Sequence, residues 1–161
     1  QNAARLSSLI DDILDVERLE TGSIAFVMLP LDLRETLSEA VEQNHPYAEA
    51  LGVSLKIDLP REVLPVRGDP GRLLQVLTNL LSNAAKFTPR GGTVRISAER
   101  NGASVKIGVE DDGSGVPPEF EPRLFQRFAQ ASQAKQAGRS GTGLGLAISA
   151  AIIVRHGGEI G

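Results

Sequence analysis

The sequence predicts an α+β fold: a two-layer α/β sandwich in which helices cover one face of a mixed, mainly antiparallel sheet, preceded by an N-terminal helix. Three observations carry this. Apolar residues recur at spacings of three and four in several separate segments, the mark of amphipathic helices. Two alternating runs, 93–100 and 103–111, are joined by Asn101-Gly102, a short-range hairpin signal. Helices and strands are mixed along the chain, with adjacent strands joined as a hairpin, which points to α+β.

In order, Leu6, Leu9, Ile10, Ile13, Val16 and Leu19 form a narrow stripe ending at Gly22. Its near-heptad rhythm suits a partner helix as well as the core of its own domain. Asp32 followed by Glu35 resembles a capping box and opens a helix with the stripe Leu33, Leu37, Val41, Asn44 and Ala48, running to Leu51. Val53, Leu55, Ile57 and Leu59 alternate with polar residues as a half-buried strand stopped by Pro60. Asp69 caps a helix from Arg72 to Phe87, which ends at Thr88-Pro89. The hairpin follows. From Pro117 the pattern is lost, and Ala129–Ser140 is so poor in large apolar residues that a mobile loop is expected there. A last helix runs from Leu146 to Arg155.

The totals exclude several classes. With 161 residues, the length favours one domain with an appendage, and 41% apolar against 23% charged residues is ordinary for a globular protein. The net charge of −3 comes with no basic block, so no nucleic-acid footprint is expected. The absence of cysteine excludes a disulfide scaffold and a zinc–thiolate site and fits a reducing cytoplasm. No apolar run has the length of a membrane span, so no direct membrane contact is expected.

Three segments carry chemistry. On the helix 72–87, Gln75, Asn79, Asn83 and Lys86 share one side, opposite Leu73, Leu74, Leu77, Leu81, Ala84 and Ala85. Amide oxygens can ligate magnesium and a lysine can meet phosphate, though an ordinary polar face reads the same way. Asp111-Asp112-Gly113-Ser114-Gly115 ends a strand. A buried carboxylate there can accept a hydrogen bond from a base's exocyclic amine; a plain turn is the simpler alternative. Gly141-Thr142-Gly143-Leu144-Gly145-Leu146 opens a helix, where successive N–H groups can cradle an anion. It is neither a Walker loop nor a dinucleotide fingerprint. Together the three point to a phosphate-and-base pocket with the loop between the last two as a lid: nucleotide binding.

With these motifs in place, the sequence resembles sensor histidine kinases. Gln75–Pro89 is similar to their asparagine box, Asp111–Gly115 to the first glycine box, Leu124–Phe128 to the phenylalanine box and Gly141–Leu146 to the second glycine box. Arg18–Gly22 and Gly68–Arg72 resemble the flanking stretches. The resemblance implies the Bergerat-type ATP-binding fold shared with DNA gyrase, MutL-type repair proteins and the large heat-shock chaperone. It implies ATP with Mg2+ as cofactors: Asn83 would ligate the magnesium that bridges the phosphates, supported by Asn79, and Lys86 would contact phosphate. Asp111 would take the adenine amino group, with Gly113 and Gly115 letting the base approach. Phe125 and Phe128 would anchor the lid, Arg127 or Arg139 would reach the phosphates, and Gly141, Thr142, Gly143, Leu144, Gly145 and Leu146 would line them.

The family's reaction transfers the ATP γ-phosphoryl group to a histidine nitrogen. Residues 1–28 would be the second helix of the dimerisation and phosphotransfer domain with its linker, and 29–161 the catalytic domain. Implied partners are a phosphoacceptor helix of its own or the partner protomer, a response regulator and, in the intact protein, a second copy. The implied location is cytoplasmic. Neither His45, before Pro46-Tyr47, nor His156, before Gly157-Gly158, matches the phosphoacceptor pattern; the acceptor is expected upstream of Gln1. Relatives continue with two further strands beyond a His-Gly-Gly run, so the C-terminal strands are expected to be missing. Two alternatives stand beside the kinase: a degenerate ATP-binding scaffold, and a gyrase- or MutL-like ATPase. The second usually carries a glutamate where this chain has Asn79.

Overall fold

In a computed structural model of the chain, residues 10, 13–19, 21–130 and 141–161 are described, and backbone contacts divide the chain into two units, Val27–Gly115 and Gln1–Phe26 with Val116–Gly161. Leu6 and Leu9 of the N-terminal stripe, and Arg139, lie outside the described residues.

The unit Val27–Gly115 begins with strand β1 (Leu29–Asp32), which pairs antiparallel with β3 (Pro65–Gly68). Neither strand is expected from the sequence: each has four residues and a proline, too short and too interrupted for alternation to show. Asp32 ends β1 and caps helix α1 (Leu33–Ala50). Its Oδ1 accepts from the N–H groups of Arg34 (3.2 Å) and Leu64 (3.0 Å), while Arg34 Nη2 and Nε reach Oδ2 at 2.6 and 2.9 Å. The capping box does not form, and Glu35 makes no hydrogen bond among the described residues. The Arg34 fork occupies the carboxylate instead, and Arg34 Nη1 reaches on to the Arg61 carbonyl at 2.6 Å. The Arg34 guanidinium and then the Leu64 N–H hold the Asp32 carboxyl down at about 2.

Along α1 the buried residues are Leu33, Thr36, Leu37, Ala40, Asn44 and Ala48. Asn44 sits in this apolar row because its amide is satisfied: Nδ2 donates to Ala40 O (2.8 Å) and Thr78 Oγ1 (3.4 Å), which ties α1 to the next helix. Strand β2 (Ser54–Asp58) pairs parallel with β4 (Thr93–Asn101), and β4 pairs antiparallel with β5 (Ser104–Asp111). The expected single sheet is thus two ladders, of two and three strands. The β4–β5 hairpin closes through Gly102-Ala103, because Asn101 is still paired with Ser104. Only Gly102 has a positive φ (+61°) in that loop, the pattern of a II′ turn. On β4, Val94, Ile96 and Ala98 are buried and Arg95 and Glu99 exposed, so one sheet face meets the helices.

Helix α2 (Pro70–Phe87) lies in the crossover between β2 and β4 and packs against α1, β4 and β5. It starts two residues before Arg72, since Pro70 needs no N–H partner in the first turn. Asp69 is its cap: Oδ1 accepts from Arg72 N (3.0 Å) and Oδ2 from Val27 N (2.9 Å). Partial burial works to raise the Asp69 pKa, but the N–H groups of Val27, Arg72 and Gly71 outweigh it and hold it below the usual range. The buried side is Leu73, Val76, Leu77, Leu81, Ala84 and Ala85. Val76 takes a place that the sequence pattern gives to Leu74, which is half-buried. The Thr88 hydroxyl donates to Ala84 O at 2.8 Å and closes the helix before Pro89.

In the other unit, residues 13–19 are helical and Thr21 turns the chain back with hydrogen bonds to Glu17 O. Turns linking Pro117, Phe120, Arg123, Gln126 and Ala129, with a 3-10 turn at Glu121–Arg123, run through residues 117–129, while residues 131–140, most of the expected loop, lie outside the described residues. Helix α3 (Gly145–Arg155) starts one residue before Leu146, with Ile148, Ser149 and Ile152 buried. Among the described residues no helix is long and apolar enough to cross a membrane.

Two outcomes test this scaffold. The Asp32 carboxylate stabilises the fold above pH 4 and loses that contribution as pH falls towards 2, since its folded pKa is depressed. Thermal unfolding should therefore show a smaller loss between pH 4 and 2 in Asp32→Asn than in the parent chain. Asp69→Ala should cost about 1–2 kcal/mol through the lost cap, a fall in Tm of roughly 2–8 °C, read by calorimetry.

Candidate functional site

The site residues are assembled in two groups, each within its own unit. The first is built on α2. Burial of its apolar row turns Gln75, Asn79, Asn83 and Lys86 to the other side, where all four are half-buried. Gln75 is engaged at the helix start, with Oε1 accepting from Arg72 Nη1 at 2.8 Å. Lys86 Nζ lies 5.4 Å from the centre of the Phe87 ring, a cation–π distance. The Asn83 side chain makes no hydrogen bond among the described residues. Its amide oxygen is therefore open to a ligand.

The strand end comes to the same helix. Asp111 is in register with buried Val94, so its side chain leaves the sheet on the face that carries Val94 and Ile96. Gly113 N donates to Asp111 Oδ1 at 2.7 Å, and a Cβ at position 113 would collide with that oxygen and lie 3.1 Å from the Phe87 carbonyl oxygen. Glycine lets the Asp111 carboxylate sit against this turn as it passes the end of α2; a larger residue would displace that carboxylate. The expectation of a buried carboxylate is not met. Asp111 is exposed, because it is the last residue of its strand and the turn departs from it. Its Oδ2 accepts no hydrogen bond among the described residues. Gly115, with φ of +74°, has open space around it.

The second group joins the phenylalanine-containing turn to the glycine turn. Gly143 has φ of +74°, and a Cβ there would stand 2.9 Å from the Phe128 backbone and 3.0 Å from Ala129 O. Phe128 is the one non-glycine with positive φ (+58°) among the described residues, and its side chain is 60% exposed. Gln130 Nε2 donates to Gly141 O at 2.7 Å. Thr142 Oγ1 accepts from Leu144 N at 3.2 Å, and Leu144 is buried. Helix α3 then opens with Gly145 and Leu146, and the N–H groups of a helix's first turn point outward along its axis. Phe125 and Arg127 line a pocket of about 350 Å³ with Val16, Leu19, Ile148 and Ala151.

Sequence reasoning passes over Phe87 and Asp112. Phe87 supplies the carbonyl that limits residue 113 and the ring beneath Lys86. Asp112, just past the strand, holds the turn, with Oδ2 accepting from Thr93 N at 2.8 Å. The register of β5 with β4 is the feature that puts Asp111 on the face of Val94. The donor set suits a magnesium ion that arrives with phosphates: among the described residues no three His, Cys, Asp or Glu side chains gather to hold a metal alone, while Asn83 offers a neutral oxygen.

Comparison with known proteins identifies the family. The profile described as histidine kinase-, DNA gyrase B- and HSP90-like ATPase matches residues 68–161. The signal transduction histidine-protein kinase BarA of Escherichia coli K12 is 36% identical over 99% of this chain and 18% of its own length. The sensor-like histidine kinase SenX3 of Mycobacterium tuberculosis H37Rv is 35% identical over 98% of this chain and 38% of its own. This chain thus spans about a fifth to two-fifths of those relatives. Among solved structures, full-length ShkA in complex with AMPPNP superposes with a TM-score of 0.80 at 32% identity, covering 92% of this chain and 30% of that one. The chain belongs to the histidine kinase-, DNA gyrase B- and HSP90-like ATPase family.

Proposed function

We propose that this chain is the ATP-binding catalytic part of a sensor histidine kinase, in which residues 1–28 end a dimerisation and phosphotransfer domain and 29–161 hold the nucleotide. The observation that carries the reading is the meeting of the Asp111–Gly113 turn with the end of the helix bearing Asn79, Asn83 and Lys86. The likeness to ShkA, solved in complex with AMPPNP, and to the histidine kinases BarA and SenX3 supports it.

In this reading Asp111 accepts the adenine amino hydrogen through Oδ2, its Oδ1 being held by Gly113 N–H. That division fixes the carboxylate before the base arrives, which lowers the ordering cost of binding. Lys86 neutralises phosphate oxygens, and the first N–H groups of α3 and the Gly141–Leu146 turn donate to others. Asn83, supported by Asn79, would hold a magnesium ion carried by the phosphates, and that ion would supply neutralising charge there. Phe125 and Phe128 would anchor the segment between the two glycine turns, and Arg127 or Arg139 would supply positive charge to the phosphates. An acceptor histidine nitrogen, supplied by a phosphoacceptor helix, attacks the γ-phosphorus. The bond to the β–γ bridging oxygen breaks and ADP leaves. A response regulator then takes the phosphoryl group, and the intact protein is a homodimer on the cytoplasmic side. The position of Asn79, where a water-activating glutamate stands in the ATPase branch, favours transfer to protein over hydrolysis.

Mg-ATP at one hundred times its Kd should stabilise the chain by about 2.7 kcal/mol, a rise in Tm of about 5–10 °C. An unmoved Tm would remove the nucleotide reading. Asp111→Ala and Gly113→Ala should fold and lose that rise. An adenine role for Asp111 is refuted by a folded Asp111→Ala chain that keeps its ATP affinity. Asn83→Asp should lose the magnesium-dependent part of binding, seen by titration calorimetry with and without the ion. Rapid ATP hydrolysis with no acceptor added would favour the ATPase alternative; ATP binding with neither hydrolysis nor transfer to an added phosphoacceptor domain would favour the scaffold.

A further inference from the structure

The connection that follows the N-terminal helix is held by one side chain at the far end of α3. Arg155 Nη1 lies 3.5 Å from Leu19 O and Nη2 lies 3.4 Å from Ile24 O. The guanidinium carbon stands 4.9 Å from the centre of the Phe26 ring. Phe26 in turn packs edge-on against His156, with centroids 5.3 Å apart and planes at 70°. His156 is fixed by Nδ1 against Ile152 O at 2.8 Å. A planar fork can bridge two carbonyls and stack on a ring at once, which an ammonium cannot.

Elsewhere the helical residues Val16 and Leu19 and the α3 residue Ile148 are buried. An open pocket of about 350 Å³ lies beside them, lined also by Phe125, Gln126, Arg127, Ala147 and Ala151. Arg155 adds to this apolar contact a polar tie that reaches the connection beyond the helix.

We propose that Arg155 is a positioning residue that latches residues 19–26 to the end of α3, so that the N-terminal helix and the helix opened by the glycine turn move as one body. Helix α3 has eleven residues and is a rigid rod of about 16 Å. Its first turn follows Gly143, and its last carries the latch. A displacement of residues 13–19 therefore reaches the glycine turn while the latch is closed and is lost when it is open. The effect of that motion on nucleotide rests on the reading of the glycine turn as a phosphate site; the latch itself does not.

The chain has no tryptophan, so Phe26→Trp provides a single fluorescent reporter, an indole stacked on the same cation. In this background Arg155→Met keeps bulk but removes the fork and the charge. Acrylamide quenching of the indole should rise about threefold or more in Arg155→Met, from loss of the cation–π contact. Mg-ATP should shift the indole emission when Arg155 is present and leave it unmoved in Arg155→Met. By linkage, Arg155→Met then changes Mg-ATP affinity by the factor through which Mg-ATP shifts the latch. Equal quenching with and without Arg155 overturns the latch. Indole emission blind to Mg-ATP, in a chain whose Tm still rises with Mg-ATP, overturns the coupling. No Mg-ATP effect on Tm in the parent chain is a failure of the nucleotide reading instead, and the quenching comparison still decides the latch.

Discussion

The group of candidate site residues in the unit Val27–Gly115 depends on how one helix is seated. Leu73, Val76, Leu77, Leu81, Ala84 and Ala85 bury one side of α2, and a fully buried leucine contributes about 1.5–3 kcal/mol relative to exposure. That burial leaves the helix no freedom to rotate about its axis. The amide-and-lysine side is therefore aimed by the core rather than by contacts of its own. This is why Asn83 can stand without a hydrogen bond among the described residues: the backbone that carries it is held from behind. The same packing sets the end of α2 beside the Asp111–Gly113 turn, so two stretches of sequence with little individual meaning share a location.

Carboxylates do much of the joining in the unit Val27–Gly115. Asp32 closes a strand onto a helix, Asp69 caps a helix and grips Val27, and Asp112 pins the start of the hairpin at Thr93. Each accepts from backbone N–H groups that would otherwise lack partners at a chain reversal. Asp111 and Asp112 each accept through a single oxygen among the described residues. Of these two, Asp111 is the one in register with Val94 on the helix side of the sheet.

Long periodic elements are legible in the amino-acid order alone. The three helices with interior stripes and the β4–β5 hairpin fall within a few residues of where the sequence places them, since their patterns repeat often enough to be read. The strands around Pro30 and Pro65 are not, because four residues give no period and pairing between distant segments leaves no local trace. The capping box fails for a related reason: Arg34 lies between Asp32 and Glu35, and only three dimensions show that its fork takes the carboxylate first. At the site, residue types are legible, but which neighbouring aspartate is in register with Val94 and how Phe128 meets Gly143 follow from strand pairing and from backbone torsions. The tie from Arg155 to Phe26 joins opposite ends of the chain and cannot be read from either.

The parallel pairing of β2 with β4 has a consequence for how the chain reaches its native state. The β4–β5 hairpin is local and can form on the timescale of microseconds. Strand β2 can join it only after the loop containing β3 and all of α2 has closed, which is the slow, entropically costly kind of contact. The helix that carries Asn79, Asn83 and Lys86 is thus enclosed in the loop whose closure completes the sheet. Until that closure it can lean on α1 and on the hairpin, but not on the completed sheet. Newly made chains therefore complete the surroundings of this helix at the same step as the sheet.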